Sequence, residues 1–180
     1  MAPKILLTTA TGPFSKMDGA SVNDIHASRM THGQGIFMQR SYYPALPLHI
    51  LAQNISAPST VLENPTLDFF EKEVQNNFDF IGITFPPIFL DKVLVMCQSI
   101  RRLSPRTKIV LGGYGVFCLE ESVGVGKKVK QLADHICRGE GVRFLRALLG
   151  EPIDRPITED LPLNQTYFMD QPAARLFNLV

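Results

Sequence analysis

Asp79-Phe80-Ile81-Gly82-Ile83-Thr84-Phe85 is closed by Pro86-Pro87. Leu90, Val93, Leu94, Cys97, Ile100 and Leu103 follow at helical spacing, and then come Lys108-Ile109-Val110-Leu111 and Gly112-Gly113-Tyr114-Gly115. The first and last runs are short, almost wholly apolar and ended by turn residues, as strands buried on both faces are. Between them the apolar positions share one face, with Asp91, Lys92, Gln98 and Arg101 away from it, which predicts an amphipathic helix. Strand, helix and strand in that order form a βαβ unit, which requires parallel pairing through a right-handed crossover.

The same alternation extends in both directions. Ile5-Leu6-Leu7-Thr8-Thr9 reads as a first strand stopped at Thr11-Gly12-Pro13. Leu46 to Ile55 is expected to contain a second strand, with Pro44 and Pro47 marking its start. Asn64-Pro65-Thr66 reads as a helix start, since Asn is a good N-cap and Pro suits the first helical position. Leu67, Phe70, Val74 and Phe78 continue that helix. A helix around 117–132 is weakened by Gly124 and Gly126. His135-Ile136-Cys137-Arg138 is a short fifth strand, followed by Gly139-Glu140-Gly141 and a last helix on Val142, Leu145, Leu148 and Leu149, with Gly150 as its C-cap. The expected fold is therefore α/β, a doubly wound parallel five-stranded sheet in the flavodoxin-like, Rossmann-like order 2-1-3-4-5. Residues 1–150 make the domain. Residues 151–180 begin Pro-rich (Pro152, Pro156, Pro162) and read as a linker or C-terminal strap. The segment 14–43 is longer than an ordinary βα loop.

With 180 residues, 45% hydrophobic and 19% charged, the chain suits one well-packed domain. A net charge of +1 argues against nucleic acid as a partner, because phosphate binding needs a dense basic stripe. Arg101, Arg102, Arg106 and Lys108, and Lys127, Lys128 and Lys130, read as solvated helix surface. Cys97, Cys118 and Cys137 are too far apart in sequence for a Cys-x-x-Cys motif and lie in apolar runs, so they read as small buried hydrophobes in a reducing compartment. Met1-Ala2-Pro3-Lys4 is not a signal peptide, and no apolar run approaches membrane-spanning length, so no membrane is expected and the expected location is cytoplasmic.

In open α/β sheets ligands bind outside the carboxyl ends of the strands. Here that edge collects Thr9, Thr11 and Gly12, then Thr84 and Phe85, then Gly112, Gly113, Tyr114 and Gly115, then Gly139, Glu140 and Gly141. Glycines let a large flat ligand approach the backbone, and helix N-termini suit a phosphate or an amide-rich ligand. No Gly-x-x-x-x-Gly-Lys-Ser/Thr, no Gly-x-Gly-x-x-Gly after the first strand and no Gly-x-Ser-x-Gly is present. His49 and His135 lie in or beside strands and read as structural. His26 and His32 lie in the long segment and lack the further ligands that a zinc site needs.

Taken together, Phe80 to Phe85, Ile100-Arg101-Arg102-Leu103-Ser104-Pro105, Ile109 to Tyr114 and Asp134-His135-Ile136-Cys137-Arg138-Gly139-Glu140-Gly141 form a series. Over roughly residues 4–150 it resembles the N-terminal cobalamin (B12)-binding domain of B12-dependent radical SAM proteins. The resemblance implies that cobalamin is held base-off against the strand-end loops. Thr84 stands where such domains place the Ser of a Ser-x-Leu motif that contacts the nucleotide tail, with Pro86 in place of Leu. Gly112 and Gly113 match the Gly-Gly against which the tail lies. Asp24-Ile25-His26 resembles the Asp-x-His-x-x-Gly whose His ligates cobalt in the mutase type, but Arg29 replaces the Gly. His26 is thus the one metal-ligand candidate.

The family's catalytic barrel carries a three-cysteine iron–sulfur motif, which this sequence lacks. The resemblance therefore implies a domain that is not catalytic alone. S-adenosylmethionine and a 4Fe–4S cluster would enter only with a following radical SAM domain. The alternative is a cofactor-free regulatory or protein-interaction module in which Phe85 and the two prolines fill the place of the tail. A flavodoxin-like FMN site ranks last, since only Thr8, Thr9 and Thr11 supply hydroxyls after the first strand.

Overall fold

The structure is a computed structural model that describes residues 2–10, 45–121 and 124–158. Five parallel strands form one sheet in the order β2-β1-β3-β4-β5. They are β1 (Ile5–Thr9), β2 (Ser59–Leu62), β3 (Phe80–Thr84), β4 (Lys108–Gly112) and β5 (His135–Ile136). The doubly wound, flavodoxin-like order expected from the βαβ alternation is the order found.

Strand residues alternate between two cores, as a period of two dictates. Leu6, Ile81, Ile83, Ile109 and Leu111 join the larger core with Phe70, Val93, Met96, Cys97, Ile100 and Val129. These last come from α2 (Leu67–Val74), α3 (Leu90–Leu103) and α5 (Val125–Leu132). Ile5, Leu7 and Val110 join the other core with Leu48 of α1 (Leu46–Asn54) and Leu145 of α6 (Gly141–Leu149). Helices thus cover both faces, which is why the strands read as unbroken apolar runs.

Two expectations are corrected. The stretch Leu46 to Ile55 is helix α1, and the second strand is Ser59–Leu62. Pro47 opens the helix rather than a strand, and Leu48 and Leu51 turn inward one helical step apart. His49 accordingly lies in a helix. The cap of α2 is Thr66, whose hydroxyl accepts from the Phe69 N–H at 3.3 Å. Asn64 instead takes a left-handed conformation, φ 44°.

The region expected to be one helix over 117–132 is divided. A 3-10 turn at Tyr114–Phe117 leads into α4 (Cys118–Glu121), and α5 begins only after Gly124 at φ 86°. The C-cap Gly150 has φ 73°, as expected.

Residues 151–158 are bound to α1 and α6 at the pole opposite the strand carboxyl ends. Arg146 of α6 is fully buried. Its Nε donates to Asn54 O at 2.8 Å, Nη2 to Asn54 Oδ1 and Pro156 O at 3.4 and 3.2 Å, and Nη1 to Arg155 O. Asn54 also receives the Thr158 N–H at 2.8 Å, while Glu151 receives the N–H groups of Ser56 and Ala57 at 2.7 and 3.1 Å. Carbonyl oxygens satisfy this buried cation in place of a carboxylate, which a buried charge requires of its surroundings. Residues 159–180 lie outside the described residues.

Candidate functional site at the carboxyl edge of the sheet

The sheet register lines up the strand ends. Thr9 pairs with Thr84, and Thr84 with Gly112. Leu111 pairs with Ile136, so the Cys137–Gly141 turn continues the same edge past β4. The loops expected to form a site therefore meet on one row. Thr11, Gly12 and His26 lie outside the described residues.

Hydrogen bonding within the chain already occupies the first part of this row. The Thr9 hydroxyl accepts from Asn64 N at 2.7 Å and donates to Asn64 Oδ1 at 3.3 Å. Both β-ends are thereby tied, and the bond accounts for the left-handed Asn64, a conformation Asn tolerates. Next to them Glu63 accepts from Ala45 N at 2.6 Å and meets His49 Nε2 at 2.8 Å. Burial lowers the His49 pKa. It also raises that of Glu63, against the opposing effect of the Ala45 N–H. Both partners are pushed toward their neutral forms, so this contact serves as a hydrogen bond closing α1 onto β2 more than as an ion pair.

The centre of the row divides into filled and open positions. Phe85 is 2% exposed and belongs to the larger core. Its ring occupies the place a side chain at Gly115 would take, and Gly115 N donates to Phe85 O at 2.8 Å. A Cβ at Gly113 would lie 2.5 Å from Thr84 Oγ1 and 3.2 Å from Phe85 N. With φ 81° and ψ −178°, Gly113 holds a conformation that L side chains rarely take. These two glycines therefore serve the close approach of the β3 and β4 ends. At Gly112 and Gly139 a Cβ would meet nothing within 4 Å among the described residues. The missing side chain at Gly141 is filled by Leu51 at 2.9 Å.

Glu140 is the N-cap of α6, its carboxylate accepting from Val142 N at 2.6 Å and Arg143 N at 2.8 Å. The N–H groups that would suit a bound phosphate are therefore taken by the protein's own carboxylate. The upstream Asp134 is a sheet anchor. Arg101 meets it at 2.5 Å, Lys108 at 3.0 Å and Ile109 N at 2.8 Å. Burial raises its pKa, but the hydrogen bonds from Arg101, Ile109 N and Lys108 and the Arg101 charge outweigh that and hold it at about 2. Arg101 and Lys108, expected as plain solvated surface, are thus bound to the amino end of β5.

Sequence reasoning did not single out Ile88 and Phe117, which flank this edge at 72% and 56% exposure. Tyr114 stands beside them at 83%. An apolar residue next to a strand-ending Pro-Pro or Gly-Gly is the only sequence signal for such a position.

Burial lifts the Cys97 thiol to about 12, against the lowering charge of Arg101. Cys137 is raised as well, by burial first, so neither is a ready nucleophile. Among the described residues no group of three or more His, Cys, Asp or Glu is placed to hold a metal ion. Among them, too, no helix is long and apolar enough to cross a membrane. Comparison with protein-family models returns no match, and comparison with curated proteins returns none either.

Proposed function

We propose that this chain binds cobalamin, base-off, at the carboxyl edge of its sheet and is not catalytic on its own. The observation that supports the reading is a pair of glycines, Gly112 at the end of β4 and Gly139 in the loop after β5, where a Cβ would meet nothing within 4 Å among the described residues, with Thr84 paired to the first. Backbone exposed in this way lets a broad, amide-fringed ring lie directly on the sheet edge. The bound group would supply cobalt chemistry, and the chain would supply seat and orientation. The His26 candidate for the cobalt's lower face lies outside the described residues. Within this reading the protein is cytoplasmic, and S-adenosylmethionine with a 4Fe–4S cluster belongs to a radical SAM domain joined to it.

The residues fit this group at the edge itself. They do not fit it in the turn just past the end of β4, where the side-chain places at Gly113 and Gly115 are filled by Thr84 and Phe85. The burial of Phe85 favours a second reading, a cofactor-free interaction module of the same fold. Gel filtration with hydroxocobalamin separates the two. The cobalamin reading expects visible absorbance to travel with the protein at tens of micromolar. Colour left wholly in the small-molecule fractions would replace it with the second reading.

A further inference from the structure

Helix α1 lacks the caps and charges by which a short helix secures its own ends. It has nine residues, fewer than the roughly 12–15 at which a helix persists alone in water. Its N-cap, Ala45, gives no side-chain cap, and the helix has no acid in its first turn and no base in its last. Only Leu48 and Asn54 in it are buried.

Other elements supply what α1 lacks. Glu63, just past β2, accepts from Ala45 N at 2.6 Å, which sets a carboxyl group at the positive end of the helix. At the other end Asn54 O receives Arg146 Nε at 2.8 Å and Arg155 Nη2 at 2.6 Å, so two guanidinium groups stand on the last helical carbonyl. One comes from α6 and the other from residues 151–158. The Asn54 side chain adds a two-way bond to the same segment. Its Nδ2 donates to Thr158 O at 2.7 Å, and its Oδ1 accepts from Thr158 N at 2.8 Å.

Residues 151–158 also hold the turn into β2. Glu151 accepts from Ser56 N at 2.7 Å and Ala57 N at 3.1 Å, and Arg155 Nη1 donates to Ser56 Oγ at 3.1 Å. β2 ends the sheet and pairs with β1. Its far end leads to Glu63 and to Asn64, whose N–H donates to the Thr9 hydroxyl at 2.7 Å on the row of strand ends. From α1, Leu51 fills the place of a side chain at Gly141, the first residue of α6. One segment at the amino pole of the sheet is thus fastened to two elements, α1 and β2, that reach the carboxyl edge beside Thr9 and Gly141.

We propose that residues 151–158 are a latch on the α1–β2 side of the domain. Docked, they order α1 and β2 as one unit; freed, they release that unit while the rest of the sheet stays folded. Whatever fastens or captures this segment then sets the Thr9–Asn64 tie, the Glu63–His49 contact and the cover that Leu51 gives to Gly141. The coupling runs through one helix and one strand, each held at both ends, from one pole of the sheet to the other. It holds whichever ligand the edge takes.

The test is amide hydrogen exchange of the full chain, read residue by residue, in the parent, in Arg155→Met and in Glu151→Ala. In the parent the Ala45, Ser56, Ala57, Asn64 and Thr158 amides should open together, with protection equal within about fivefold and at least about tenfold below that of the α3 amides. Each variant should quicken all five by a common factor of about tenfold, the scale of a lost hydrogen bond to a charged group. Ala45 and Asn64 protected as strongly as α3 would overturn the latch, since they would then open only with the whole domain. Thr158 quickened while Ala45 and Asn64 keep their parent rates overturns it too, as do five unchanged amides in both variants.

Discussion

Replacing Gly113 by Ala should destabilise the fold far more than the same change one residue earlier. At Gly113 the backbone has φ 81° and ψ −178°, a region essentially reserved for Gly, where another residue costs about 1–3 kcal/mol. The added Cβ would also stand 2.5 Å from Thr84 Oγ1 and 3.2 Å from both Phe85 N and Phe85 O. Two of those three atoms are backbone at the end of β3 and cannot rotate away. Overpacking of this kind costs about 1–3 kcal/mol. Together the loss is about 2–6 kcal/mol, a large share of the roughly 5–15 kcal/mol that holds a domain. Gly112→Ala is the internal control. Its Cβ meets nothing within 4 Å among the described residues, so it should be neutral or stabilising by up to about 1 kcal/mol through the unfolded chain. Urea unfolding followed by far-UV circular dichroism reads both, with equal slopes establishing that the comparison is one of stability. A Gly113→Ala chain within about 0.5 kcal/mol of the parent would refute the close-approach argument. So would a Gly112→Ala chain that loses as much as Gly113→Ala.

Arg146→Met keeps the bulk of the buried side chain but strips the donors from Asn54 O, Asn54 Oδ1, Arg155 O and Pro156 O. A loss of about 3 kcal/mol or more is expected, with hydrogen exchange quickening at the Thr158 amide, and unchanged exchange there would contradict the clamp. Asp134→Asn should weaken the fold at neutral pH. The Asp134 pKa is depressed from 3.8 to about 2, so the carboxylate's contribution is complete above pH 3.8 and fades as pH falls through about 2. The stability gap between variant and parent should therefore narrow across that window, and a gap constant with pH would exclude the carboxylate as its source. Glu140→Ala removes the cap on Val142 N and Arg143 N and should cost about 1 kcal/mol by urea midpoint. An unchanged midpoint would show that the cap is replaced by solvent at no cost.

The strands that the sequence made legible are the ones buried on both faces. Ile5–Thr9, Phe80–Thr84 and Lys108–Gly112 are central in the sheet, and their apolar runs follow from having a helix layer on each side. Helix Leu90–Leu103 was legible because its buried residues Val93, Met96, Cys97 and Ile100 share a face. The misreading at Leu46–Asn54 came from an edge. Strand Ser59–Leu62 terminates the sheet, has no fully buried residue and is four residues long, so it lacks the apolar run that marks its neighbours. The helix before it has Ile50 and Leu51 beside Pro47, a pattern that strand and helix share over so short a span.

At the edge of the sheet, the positions of the glycines were legible but not their purposes. Gly112 and Gly113 are identical letters, yet a Cβ on the first would meet nothing within 4 Å among the described residues and a Cβ on the second would press on Thr84. Glu140 and Asp134, part of the series that carried the resemblance, have local structural duties as a helix cap and a sheet anchor. Such duties depend on which backbone N–H or guanidinium lies opposite, which no single sequence displays.

The account rests most directly on the openness of Gly112 at a ligand seat. Gly112→Leu starts a side chain from a Cβ position that meets nothing within 4 Å among the described residues. Hydroxocobalamin titration of the parent chain and of this variant, each with its urea midpoint, is the decisive measurement. The account predicts saturable binding by the parent, a midpoint for the variant close to the parent's, and affinity reduced by at least about tenfold. Equal affinity in the two folded chains would contradict it.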